Sequence, residues 1–147
     1  MFKGECGELA EVLPSLEACI PQVILNLMLN AADAMIDVHD RPRDLHISSS
    51  ADPGGVVCIL VRDAGIGFEP DKVEQFFQPF HTTKADGMGV GLSISRSIIE
   101  AHGGRLWGTP NPDGQGATFA FSVPSDLSAA DHLTIPTSGY ARVLVKR

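Results

Sequence analysis

Positive charge is scarce in this chain: 11 Lys and Arg stand against 18 Asp and Glu, a formal charge of -7 at pH 7. That balance argues against a role resting on nucleic-acid binding, which normally needs clustered basic side chains. Cysteine is almost as rare. Cys6, Cys19 and Cys58 share no CxxC or CxxxC spacing, so neither a disulfide framework nor a zinc knuckle is available, and reduced thiols are expected. The five histidines, His39, His46, His81, His102 and His132, also lack metal-ligand spacing. No apolar run approaches the roughly 18 residues that span a bilayer, and Met1–Cys6 is too polar for a secretion signal. The expectation is a soluble cytoplasmic domain without a membrane span. With 44% hydrophobic residues over 147 positions, one well-filled core is in reach.

Glycine, by contrast, is abundant and placed with purpose. Gly87-Met88-Gly89-Val90-Gly91-Leu92-Ser93 runs straight into an apolar, helix-patterned segment ending at His102, where Gly103-Gly104 provides a stop. Alternate glycines let backbone amides approach a ligand closely. A helix starting there aims free N–H groups and its positive dipole end at an anion, and a phosphate chain is the natural guest.

Three organisational regions emerge. Residues 1–20 are poorly placed, with a possible first strand in 8–13. Residues 21–124 carry the periodic pattern, and 125–147 shifts to Ser, Ala, Asp, Thr and Pro, as in a linker or tail whose end, 140–147, could add a strand. Pro21 suits the first turn of a helix, and Val23, Ile24, Leu27, Ala31, Ala34, Met35 and Val38 form an apolar face at helical spacing. Residues 45–48 and 56–61 read as strands joined by Asp52-Pro53-Gly54-Gly55, and 105–108 and 117–123 as two more. A short helix is expected around 71–77. The predicted fold is α/β (α+β), a two-layer sandwich with a mixed, mainly antiparallel sheet and three helices on one face.

Polar residues then stand out against this frame. Asn26, Asn30 and Asp33 lie at i, i+4 and i+7, one face of the first helix, with Gln22 extending the stripe. Carboxamide oxygens a turn apart can ligate Mg²⁺, a hard cation that keeps several waters. A solvated polar face fits the same spacing. Asp63 follows an apolar strand and precedes Gly65-Ile66-Gly67. It can accept a hydrogen bond from an amino group such as adenine N6, or it can belong to an ordinary Asp-Gly turn. Thr118 can support that pocket or be simply a good strand former. Lys84, in His81-Thr82-Thr83-Lys84, is a candidate partner for a terminal phosphate, and a solvated loop lysine is the plainer reading.

In order, these blocks resemble the catalytic ATP-binding domain of bacterial sensor histidine kinases, in the superfamily that includes gyrase, the Hsp90 chaperones and MutL (the Bergerat ATP-binding fold). Gln22–Met35 is similar to the N box, Asp63–Gly67 to the G1 box, Phe76–Phe80 to the F box and Gly87–Leu92 to the G2 box. Gly116-Ala117-Thr118-Phe119 is similar to the last glycine box. The resemblance implies Asn30 as a Mg²⁺ ligand, Asn26 assisting at phosphate or metal, and Asp63 binding the adenine amino group, with Thr118 acting partly through water. It implies Gly65 and Gly67 beside the base, Gly87, Gly89 and Gly91 with Leu92 over the phosphates, and Asn26 and Lys84 as candidates for a catalytic part. ATP-hydrolysing relatives place a glutamate where Asn26 stands, and a carboxamide cannot serve as that base. A histidine followed by an acidic residue and a proline, the family's phosphoacceptor, is absent from the chain. The implied partners are therefore a histidine-containing dimerisation domain and a response regulator. Two other expectations share the fold: a serine kinase of the anti-sigma-factor type, and a non-catalytic nucleotide-binding or interaction module. Asp33 stands where many members carry a basic residue, and Ala64 replaces a common polar one.

Overall fold

The computed structural model describes residues 16–79, 91–124 and 138–144. The glycine loop ahead of Gly91, with Lys84, Gly87 and Gly89, lies outside the described residues, as do 1–15 and 125–137.

Helix α1 spans Leu16–Ala34. Its inward stripe is Cys19, Val23, Leu27 and Ala31, continued by Met35 and Val38 just beyond, all buried. The expectation that Pro21 opens this helix is corrected: Pro21 lies inside it. A proline there removes one backbone hydrogen bond. The apolar spacing, however, runs back through Cys19 and Ile20 onto the core, and packing of such a face outweighs local propensity. Beyond Ala34 the turns tighten, with Met35 N–H donating to Ala32 O at 3.1 Å and Val38 N–H to Met35 O at 3.1 Å. The Arg43 guanidinium caps this end by donating to Ile36 O at 2.8 Å and Val38 O at 2.9 Å.

Strands β1 (Asp44–Ala51) and β2 (Val56–Asp63) form the expected hairpin. A 3-10 turn, Pro70–Lys72, leads into the short α2, Val73–Phe76, and α3 covers Gly91–Ala101. The stop after α3 is a Schellman arrangement: Gly104 N–H donates to Ile99 O at 2.9 Å and Gly103 N–H to Glu100 O at 3.0 Å. Strands β3 (Arg105–Pro110) and β4 (Ala117–Pro124) follow. Within the later segment, where a strand was open over 140–147, β5 spans Ser138–Leu144 and pairs with β1.

The sheet order is β3-β4-β2-β1-β5. A mixed sheet was expected with antiparallel pairing predominant; every pairing among the described residues is antiparallel. Register sets two faces. Leu45, Val61, Phe119, Phe121 and Leu106 face the helices and build the core with α1 and α3. By strand alternation His46, Arg62, Thr118 and Thr109 occupy the outer face. Phe77 and Phe68 bridge α2 and its approach to the sheet through Phe119, with ring centroids 6.0 and 5.8 Å away.

Candidate functional site

Strand β2 ends by delivering Asp63 to the helix-facing side, in step with Val61. Asp63 is 3% exposed. Its Oδ1 accepts from Gly65 N–H at 2.8 Å and from Ala117 N–H at 3.1 Å. Among the described residues nothing donates to Oδ2, which leaves it as an acceptor for a group from outside. Burial raises the carboxyl's pKa above its ordinary value, and the two backbone donors pull it partly back.

The backbone after Asp63 is held just as closely. Gly65 is required by its neighbour, since a Cβ there would stand 2.6 Å from the Ala34 carbonyl oxygen. Ile66 N–H donates to that same oxygen at 3.1 Å, tying the loop to the end of α1. Gly67 faces Gly116, whose φ of +82° and closeness to the Asp63 carbonyl leave no room for a side chain. Arg41 donates from Nε to Ala64 O at 3.1 Å and from Nη2 to Gly65 O at 2.8 Å. Asn111, buried in the turn before β4, donates from Nδ2 to Asp63 O and Gln115 O, both at 2.8 Å.

The carboxamide stripe of α1 faces α3. Asn26 Nδ2 donates to Ser95 Oγ at 3.0 Å and Gly91 O at 3.3 Å, while its Oδ1 accepts from Gln22 at 3.0 Å. Ser95 is fully buried and donates to Gly91 O at 2.8 Å. Asn26 thus fastens α1 to the first turn of α3. Asn30, one turn further along, has no hydrogen-bond partner among the described residues, which leaves its carboxamide available there.

Two expected site residues sit elsewhere. Thr118 points to the outer face, because its strand neighbours Ala117 and Phe119 are in the core; its hydroxyl donates to Asn111 Oδ1 at 2.7 Å. Its part in the pocket is therefore indirect, through Asn111. Leu92 is a core residue. Gly91 opens α3 with open space at its Cβ position apart from Asn26 at 3.8 Å. A cleft of about 580 Å³ is lined by the outer-face residues His46 and Arg62 together with Asp63, Asn111 and Asp113. The sequence reading missed Arg41, Ser95 and Asn111, whose partners are supplied by distant segments. The signal was faint: an arginine in the polar run that follows the first helix, and an asparagine opening a Pro-Asp-Gly turn.

The helix that carries the carboxamide stripe is thus tied at its end, through Ala34 O and Ile66 N–H, to the loop that follows the buried Asp63. Residues 17–127 match the histidine kinase-, DNA gyrase B- and HSP90-like ATPases. The chain belongs to that family. It is an ATP-binding catalytic domain of the sensor histidine kinase kind. It is 48% identical over 106 residues to the sensor protein FixL of Bradyrhizobium diazoefficiens, covering 72% of this chain and 20% of that protein. The sensor histidine kinase TmoS of Ectopseudomonas mendocina is 39% identical over 106 residues, 71% of this chain and 11% of its own. Among solved structures, the catalytic domain of histidine kinase ThkA aligns with a TM-score of 0.62 at 35% identity, covering 76% of this chain and 69% of that one. Full-length ShkA in complex with AMPPNP aligns at 0.60 and 34% identity, covering 71% and 21%. The chain thus spans about a fifth or less of the sensor proteins named here. Among the described residues, no helix is long and apolar enough to cross a membrane.

Proposed function

We propose that this chain binds Mg-ATP against α1 and the first turn of α3, and donates the γ-phosphoryl group to a histidine on a separate dimerisation domain. A response regulator in the cytoplasm is the onward acceptor. The observation that carries the reading is Asp63: a buried carboxylate whose Oδ1 is occupied by two backbone donors while Oδ2 awaits one. That geometry suits an exocyclic amino group and disfavours a carbonyl at the same place.

The residues present also fit a magnesium ion. Asn30 offers an uncommitted carboxamide oxygen on the same helix face as Asn26, a hard donor of the type Mg²⁺ accepts. When bound there, the ion would supply neutralisation of the phosphate charge, with Asn30 holding it. Asn26 supports transfer rather than hydrolysis, since a carboxamide cannot take a proton from water. Gly87, Gly89, Gly91 and Lys84 complete the phosphate side in this reading, with Gly65 and Gly67 beside the base.

Calorimetric titration with ATP, with and without Mg²⁺, tests it. Binding strengthened by Mg²⁺, with that increment lost in Asn30→Ala, is the expected outcome. Absence of binding at millimolar ATP would refute the reading. Transfer of labelled phosphate to an added histidine-bearing dimerisation domain then separates a histidine kinase from a serine kinase on the same fold.

A further inference from the structure

Three successive carbonyls, of Asp63, Ala64 and Gly65, each accept a hydrogen bond from a side chain outside their loop. Arg41 approaches from the segment after α1 and takes two of them; Asn111 approaches from the turn before β4 and takes the third. Irregular backbone at a strand end has no ladder to satisfy it, so such carbonyls otherwise turn toward water. Holding three in a row fixes the peptide planes between them, and with these the direction in which the Asp63 side chain leaves the chain.

Neither clamp can swivel. The Asn111 amide nitrogen lies 2.8 Å from two carbonyl oxygens, Asp63 and Gln115, which only accept. Its oxygen must therefore face Thr118, whose hydroxyl donates at 2.7 Å. The Arg41 guanidinium is fixed at a third corner, where Nη1 pairs with both Asp40 carboxylate oxygens at 3.1 and 3.2 Å. A lysine, with a point charge on a flexible stem, cannot reproduce that fork.

We propose that Arg41 and Asn111 are positioning residues for base recognition. They hold the Asp63 carboxylate so that Oδ2 meets the 6-amino group of a purine, and thereby set the preference for a base that carries that group. This inference rests on the nucleotide reading above. A purely structural role predicts something different: lower thermal stability with unchanged preference among bases.

The test compares ATP with purine riboside triphosphate, which lacks the 6-amino group, by calorimetry on the 147-residue chain. Wild type, Arg41→Gln, Arg41→Lys, Asn111→Ala and Asp63→Asn are titrated, and each thermal midpoint is recorded. The ATP-over-analogue preference should fall about three- to tenfold in Arg41→Gln and Asn111→Ala, the size of one misaligned hydrogen bond. Arg41→Lys should lie between these and wild type. An unchanged preference in the folded variants overturns the inference, whatever their midpoints. Should Asn111→Ala fail to fold, Arg41→Gln, whose side chain is 23% exposed, decides alone. If Asp63→Asn itself leaves ATP binding and preference intact, the base-site reading falls and this inference with it. If Asp63→Asn abolishes the preference while the other variants keep it, only the positioning role is lost.

Discussion

At Asp63 the two carboxylate oxygens differ in their partners. Because Oδ1 already accepts from Gly65 and Ala117, an asparagine here must keep its oxygen at that position and turn its NH2 toward the base. A donor would then meet the adenine amino donor. Asp63→Asn should lose ATP affinity by more than tenfold and gain relative affinity for inosine triphosphate, which presents an oxygen acceptor instead; competitive titration of the two nucleotides checks this. The raised pKa adds a pH prediction. Because protonation is easier in the folded state, the associated stability is present at pH below the ordinary carboxyl value and is lost as pH rises through the raised one. At neutral pH the buried charge is a cost, so Asp63→Asn should not melt below wild type. At the proposed base site the sign is opposite: with Oδ1 held by two backbone donors, protonation turns Oδ2 from an acceptor into a donor, so preference for ATP over its 6-desamino analogue should decline as pH falls into that window. Asp63 was legible in sequence, as an acid between an apolar strand and Gly-x-Gly. Thr118 was not, because which face a strand residue occupies depends on register with β2 and β3, a matter of one residue. Asn111 was hidden for another reason: its partner Asp63 lies 48 positions away.

Between elements, the coupling of α1, α2 and α3 rests on a few polar contacts laid over an apolar base. Asn26 with Ser95 joins the first to the third. Arg96 joins the third to the second, pairing with Glu74 at 2.9 Å and with Glu100 at 3.2 Å, its guanidinium 4.7 Å from the Phe77 ring centroid. Its pKa is raised mainly by the hydrogen bond to Glu74. Exposed ion pairs contribute little and cation–π contacts somewhat more. Arg96→Ala should therefore cost about 1 kcal/mol, a fall of roughly 2–4 °C in thermal midpoint, and part of the difference should vanish in high salt. The helices themselves were readable from apolar spacing alone. The start of α1 was not: Pro21 signals a beginning locally, and only the core surface available to Cys19 and Ile20 carries the helix past it.

For the molecule as a whole, β5 is the element whose removal is most telling. It pairs with β1 from Asp44↔Leu144 to Ser50↔Ser138, so that β1 is flanked on both sides. Truncation before Ser138 would leave β1 as an edge with unpaired backbone groups. The truncated chain should unfold at lower urea concentration and self-associate more readily, which sedimentation at several concentrations would report. The helices and four of the strands, the Asp63 loop and the asparagine stripe were determined by the sequence itself, because periodicity, turn residues and glycine placement act over a few neighbouring positions. The tertiary structure decided the rest. Which face Thr118 occupies, which side chains take the Asp63–Gly65 carbonyls, and where the segment 138–144 pairs all depend on contacts between positions tens of residues apart. Such contacts leave no local pattern, since a hydrogen bond across the fold needs only the right group at the right place in space.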